Sequence, residues 1–198
     1  MAEFRIETDR LVLRGWRGAD ADPFLAMGQD PRVMEFLGPP MEREDIDAAL
    51  DRQVNSQRRH GHCFWAIERR ADGAFLGFCG LKPGPEDTPL EGRIEIGWRL
   101  AHHAWGQGYA REAAQASLDW GFATLPADAI WAITVPGNVR SWGLMERLGM
   151  QRAAALDFDH PYLAPGNPLL RHIVDQKDFE HVGNLYLLIE IGRASCRE

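Results

Sequence analysis

One abrupt change of periodicity constrains the fold of this chain more than any other feature. Arg93 to Leu100, RIEIGWRL, alternates with a period of two and predicts a strand. The loop AWGQGYA follows, with Gly106, Gly108 and Ala110 interleaved with Trp105, Gln107 and Tyr109, and a helix-forming run then continues to about Phe122. The first N–H groups of a helix lack intrahelical partners, and its dipole puts partial positive charge there. Small residues let a phosphate approach those groups. The loop therefore reads as a cradle for a pyrophosphate. It is not a P-loop, because the Gly-Lys-Ser/Thr ending is missing, and not a dinucleotide fingerprint, because Arg111 stands where a third small residue is needed. A plainer reading stays open beside it, in which Gly106 and Gly108 only make a turn.

The rest of the chain supplies elements around this unit. Arg10 to Trp16 alternates as a first strand, and a short helix after Asp20 has Phe24, Leu25 and Met27 as its apolar face. Glu42 to Arg59 is helical, with Ile46, Leu50 and Val54 spaced by four. His62 to Glu68 and Ala74 to Leu81 read as two strands of a hairpin about Asp72-Gly73. Ile130 to Val135 is a strand, Asn138 is a good N-cap for a helix to Leu148, and Gly149 suits the position after its end. QRAAALDF begins one more strand. The order is strand, two helices, three strands, helix, strand, helix, strand, which is a layered α/β or α+β domain.

Bulk properties narrow the function. A chain of 198 residues, 45% hydrophobic, is enough for one domain with a sizeable core. The net charge of -7 argues against a dedicated nucleic-acid binder and weakly suits a basic partner. Cys63, Cys79 and Cys196 show no metal spacing and fit a reducing compartment. With no apolar leader and no run of 18 apolar residues, the expectation is a cytoplasmic protein without a membrane partner. The last nine residues, EIGRASCRE, are set aside because they resemble the translation of a sequencing-adapter read-through.

The strand EIGWRL, the glycine loop, the segment Asn138-Val139-Arg140-Ser141 and Leu148-Gly149-Met150 form an ordered set. This set resembles the GNAT superfamily of acetyl-CoA-dependent N-acetyltransferases. IETDRLVLRGWRGADADPF and DFDHP resemble the branch that includes the ribosomal-protein N-terminal acetyltransferases. The resemblance covers about Ile6 to His172. It implies a single domain with a mixed, mostly antiparallel sheet, splayed between the strands Arg93–Leu100 and Ile130–Val135 and flanked by helices. On this reading 1–175 is the acetyltransferase domain, 176–189 a last strand or tail, and 190–198 the foreign end.

The resemblance also implies site residues. The loop pattern Q/R-x-x-G-x-G/A falls on Trp105, Gly108 and Ala110, with Trp105 replacing the usual Gln or Arg and removing a possible cation. Trp105, Gly106, Gln107, Gly108, Tyr109 and Ala110 would hold the pyrophosphate of acetyl-CoA, and Trp98, Arg99 and Leu100 would pair with the pantetheine amides. Asn138 would touch the pantetheine arm or serve as an N-cap only. Ser141 would hydrogen-bond or protonate the departing thiolate, or be a solvated helix serine. Acetyl transfer to an amine needs a base and a donor to the oxyanion. Glu95 is the candidate base, although pairing with Arg93 or Arg99 would explain it equally, and a water relay needs no single base. His160 and His172 are alternative bases or structural histidines, and Asp157 and Asp159 either hold a cationic substrate or cap their loop. No metal is implied. The family's final strand directly follows its Arg-His pair. Here either Ile173 and Val174 start it, or Leu185 to Ile189 supply it later.

The function expected is direct transfer of an acetyl group to a primary amine in a ternary complex, by a monomer or homodimer acting on a small molecule or a protein N-terminus. The amine would arrive over the Glu42–Arg59 helix and the loop after Leu81. The alternatives are a non-catalytic acyl-CoA-binding or sensing module, and an α/β protein whose glycines serve packing alone.

Overall fold

The computed structural model describes residues 4–179; the segments Leu185–Ile189 and 190–198 lie outside the described residues. Strand β1 (Arg5–Glu7) turns back into β2 (Leu11–Arg14), so the expected first strand has an antiparallel partner that its short alternation does not announce. Helices α1 (Ala21–Gln29), α2 (Pro31–Met34) and α3 (Arg43–His60) follow, then β3 (Phe64–Arg69), β4 (Phe75–Pro83) and β5 (Ile94–Leu100). After β5 come α4 (Tyr109–Thr124), β6 (Ala129–Thr134) and α5 (Val139–Arg147), and finally β7 (Gln151–Arg152), β8 (Phe158–Asp159) and β9 (Arg171–Asp178).

The sheet order is β1-β2-β3-β4-β5-β6-β9-β7, with β8 also on β9. Every pairing is antiparallel except β5 with β6, which meet at Glu95 opposite Trp131 and at no further register position. β5 is paired with β4 along its whole length, and β6 likewise with β9. The two halves of the sheet therefore part beyond Glu95, where the splay was expected.

The expected strand QRAAALDF is an interrupted edge instead. β7 and β8 both lie on β9, separated by a 3-10 turn at Ala154–Leu156. The ladder survives the gap because the Asp157 carboxylate accepts from Val174 N–H at 3.1 Å, where a backbone carbonyl would otherwise serve. β9 itself starts at Arg171-His172 and includes Ile173 and Val174, the first of the two alternatives.

Helices cover both faces. On one, Ala113, Ala114 and Leu118 of α4 and Leu144 and Met145 of α5 close over Ile96, Leu100 and Ile130. On the other, Phe24 and Met27 of α1 and Ile46 and Ala49 of α3 form a second core against Phe75 and Phe78. α3 is bounded by a capping box at Glu42 and Asp45 and by left-handed Gly61. Of its expected apolar face Ile46 is buried, Leu50 packs at the rim and Val54 is exposed, because the last turns face β3 through Gln53 and Gln57, which accept from Phe64 N–H and Trp65 Nε1.

One buried ionic cluster ties the first strand to the first helix. Arg14 is 4% exposed and donates to both oxygens of Asp20 at 2.8 and 2.9 Å and to Glu68 at 2.8 Å. Removing one member strands a buried charge, which costs about 3–5 kcal/mol. Asp20→Ala is therefore expected to lower the unfolding free energy by about that amount in urea titration. Glu7→Ala, which removes an exposed pair with Arg5, should leave the midpoint in place.

Candidate active site

The loop between β5 and α4 presents backbone rather than side chains. Gly106 and Gly108 have φ of +71° and +80°, the left-handed region that favours glycine. A Cβ at Gly106 would meet nothing within 4 Å, and one at Gly108 only the Arg10 guanidinium at 3.4 Å. Conformation, not packing, requires these glycines, so the packing-only reading fails. Glu112 N–H is the first of the helix to reach a backbone acceptor, Gly108 O at 3.1 Å; among the described residues the N–H groups of 106–111 have none. Gln107 turns its amide onto His103 O, and Tyr109 is buried under Arg10, whose guanidinium lies 4.7 Å from the ring centre.

The loop is braced from a distance. Arg10 donates to Gln107 O at 2.9 Å and to Glu112 at 2.7 Å, and Thr8 Oγ1 donates to Glu112 at 2.6 Å. These partners are about a hundred residues apart in the chain, so only the folded sheet reveals them. Trp105 folds back, its Nε1 donating to Leu100 O at 2.8 Å, and the Arg140 guanidinium lies 4.8 Å over its ring. Arg140, on α5, thus places a cation beside the loop. Arg140 is also 4.0 Å from Glu35.

Alternation along β5 sorts its residues. Leu76 O accepts from Ala101 N–H, which sets the backbones of Glu95, Gly97 and Arg99 toward β4 and those of Trp98 and Leu100 toward the gap. A ligand bearing amides can pair with that edge. Side chains alternate between the helical layers: Ile96 and Leu100 join the α4 side, and Glu95 and Arg99 face the α1–α3 side.

Glu95 is 7% exposed and sits where the strands part. Its partner is neither Arg93 nor Arg99 but Lys82, directly opposite on β4, with Nζ 2.8 Å from Oε2. That approach is an ion pair without hydrogen-bond alignment, so Oε2 is an orphaned acceptor. Burial raises the carboxyl above its ordinary pKa, and Lys82 opposes the shift. Arg93 instead stacks on Trp131 at 4.2 Å. Lys82 was missed because the ten-residue loop before β5 hides the hairpin register.

Asn138 Oδ1 accepts from Ser141 N–H at 3.2 Å, so the N-cap is real. The Ser141 hydroxyl has no hydrogen bond among the described residues and lies at the start of α5, across the parting from Glu95; no bond joins the two. The remaining candidates are engaged elsewhere. Asp157 is held by Arg152 at 2.6 Å, which keeps its carboxyl below the ordinary range, and Asp159 pairs with Arg171. His172 stacks on Phe158 at 5.3 Å, 5.1 Å from His160, and burial lowers its pKa. Burial pushes the thiols of Cys63 and Cys79 up to about 12, so neither offers a thiolate at neutral pH. Among the described residues no metal-ligating cluster occurs, and no helix is long and apolar enough to cross a membrane.

Residues 10–151 match the family model described as the acetyltransferase (GNAT) domain. This chain belongs to the GNAT acetyltransferase family. It is 40% identical over 148 residues to the uncharacterized N-acetyltransferase YnaD of Bacillus subtilis, covering 74% of this chain and 82% of that protein. The acetyltransferase from Agrobacterium tumefaciens str. C58 is similar in structure, with a TM-score of 0.72, 26% identity and coverage of 89% and 95%. RimL, a ribosomal L7/L12 α-N-protein acetyltransferase solved with coenzyme A, shares the fold at a TM-score of 0.71 and 13% identity, over 88% and 98% of the two chains. GNAT enzymes use acetyl-CoA, and the activity class of this chain is acetyl-CoA-dependent transfer to an amine.

Because burial raises the Glu95 pKa in the folded state, its contribution to stability is present below the unfolded value and fades as pH rises through the folded one. Glu95→Gln should therefore gain stability over the parent as pH is raised from about 4 to 8, read by thermal unfolding at each pH. A difference independent of pH would mean that the carboxyl titrates normally.

Proposed function

We propose that this GNAT enzyme transfers the acetyl group by direct attack in a ternary complex, with Glu95 as base and Ser141 as donor to the departing sulfur. The observation that carries this reading is the parting of β5 and β6, with a buried carboxylate at its apex and a backbone cradle at its end. The Trp98 amide and carbonyl and the Leu100 N–H face the gap as edge groups for the pantetheine amides, with Arg99 between them, while Leu100 O is held by Trp105. The N–H groups of Gly106, Gln107, Gly108, Tyr109 and Ala110, beside Trp105 and Arg140, would hold the pyrophosphate. Asn138 keeps its capping bond and borders the arm.

Acetyl-CoA supplies an acetyl thioester, whose C–S bond breaks as the C–N bond to the amine forms. Glu95 takes one proton from the amine, and the raised pKa that burial imposes makes it a stronger base than an exposed carboxylate. Lys82, 2.8 Å away, favours its ionised form against the effect of burial. The Ser141 hydroxyl gives its proton or a hydrogen bond to the sulfur. The acceptor is a small-molecule amine or a protein N-terminus.

Free-thiol release from acetyl-CoA against a panel of amines tests the reading. Glu95→Gln should lower kcat by about 10²–10⁴-fold while calorimetry finds coenzyme A affinity retained. Retained kcat would remove Glu95 as base. Arg140→Ala should weaken coenzyme A by roughly 10- to 100-fold, the worth of one charge-assisted hydrogen bond. Unchanged affinity would leave Arg140 a stacking residue only.

A further inference from the structure

Arg99 is in an unusual position for an arginine. Its Nε is buried without a hydrogen-bond partner, and its Nη1 reaches only the thioether sulfurs of Met41 at 3.3 Å and Met34 at 3.8 Å. The guanidinium also lies 5.4 Å from the centre of the Phe78 ring. No carboxylate or carbonyl pairs with it among the described residues, and burial lowers its pKa to about 10. Thioethers are weak acceptors, and the half-buried guanidinium gives up part of its hydration at Nε without an oxygen partner in return. Arg14 shows how this fold treats a purely structural arginine, with two carboxylates on it.

The surroundings give the orphan a direction. Arg99 and Glu95 share one face of β5, with Gly97 between them. The Phe64 ring lies over that glycine, where a Cβ would come within 2.6 Å of it, and Phe64 stacks on Phe78 at 5.7 Å. The face thus has a proton acceptor at one end, an apolar aromatic floor, and an unpaired cation at the other. Lys82, also on this face, is already taken by Glu95. The segment joining Met34 to Met41 forms one wall of a cavity of about 360 Å³, closed opposite by Val135, Gly137 and Leu169. Met34 and Met41, the Arg99 contacts, flank the lining residues Glu35, Phe36 and Gly38 in sequence and are not themselves in the lining.

We infer that the acceptor amine carries an anionic group, a carboxylate or a phosphate, which Arg99 binds while the amine lies toward Glu95. This rests on the proposed transfer with Glu95 as base. It departs from what the net negative charge suggests, because one partly desolvated guanidinium without an oxygen partner decides more at the site than the sum over the surface. Its planar fork suits an oxyanion bidentately.

The test uses matched pairs of amines: amino acids and dipeptides with their C-terminal amides, and aminoalkyl phosphates with the corresponding amino alcohols. Thiol release from acetyl-CoA is read for each, together with the shift each produces in the thermal midpoint of the coenzyme A complex. In the parent, the anionic member of at least one series should lead its neutral partner by roughly 10- to 100-fold in kcat/KM and alone raise the midpoint. The carboxylate and phosphate series then separate the two sources. Arg99→Met, which matches its thioether neighbours and should fold, is expected to bring that ratio to about one, and Arg99→Lys to retain part of it. Thiol release with equal use of both members overturns the inference and leaves the transferase standing. An Arg99-dependent midpoint shift without thiol release supports the anion site and overturns the transfer reading. No shift and no preference in any pair overturns the inference.

Discussion

The single parallel contact between β5 and β6 is the constraint on which the rest of the molecule depends. Each strand is held along its outer edge by an antiparallel partner, β4 for one and β9 for the other. Each strand therefore keeps a full antiparallel ladder on its outer edge, and the two part after Glu95 while their side chains share one core. The parting creates a strand edge inside a protein, with unpaired N–H and C=O groups that ordinarily need a partner. The chain then places a helix start at each lip of the gap, α4 after β5 and α5 after β6. Edge amides and two helix N-termini suit a ligand with amides along its length and phosphate at its end.

Charge is used in two ways. Arg14, Asp20 and Glu68 form a closed cluster in which every strong donor meets an acceptor, and this cluster fastens β2 to the helical layer. Glu95 and Arg99 are left incomplete, each with an orphaned buried atom on one face of β5. A fold able to satisfy the first set has no stability reason to leave the second unsatisfied. Incomplete polar groups at a strand parting make this face the candidate for a polar substrate. Asp175 has a third such atom, but Arg152 lies 3.6 Å from it and it stands on β9, away from this face.

Local signals in the sequence were reliable where local physics decides. Asn138 caps α5, Gly61 ends α3, and Gly106 and Gly108 hold left-handed turns, since each depends on a few neighbouring residues. The splay follows from the family resemblance, because no residue pattern distinguishes a short parallel contact from a long one. Tertiary partners stayed hidden. β1 is three residues long, and its register with β2 emerges only when the hairpin closes. QRAAALDF, Gln151 to Phe158, reads as the beginning of one more strand, yet its run of alanines gives the edge too little to pack and a 3-10 turn takes over. The partner of Glu95 could not be read, because the loop from Gly84 to Arg93 leaves the offset of β4 and β5 undetermined.

Trp105 and Arg140 form a contact from one lip of the gap to the other. A tryptophan at the strand end buries part of its ring between both cores and ties itself to Leu100 O, which a flexible cation would not do. Its exposed face then becomes a platform for Arg140, and the guanidinium arrives from the helix on the far lip of the gap. The contact spans the opening that separates the two halves of the sheet, between the loop after β5 and the helix after β6. A phosphate at the cradle would attract Arg140 more strongly than the ring does, since a charge-assisted hydrogen bond outweighs an exposed cation–π contact. The stacked arrangement therefore holds the guanidinium beside the loop at low cost.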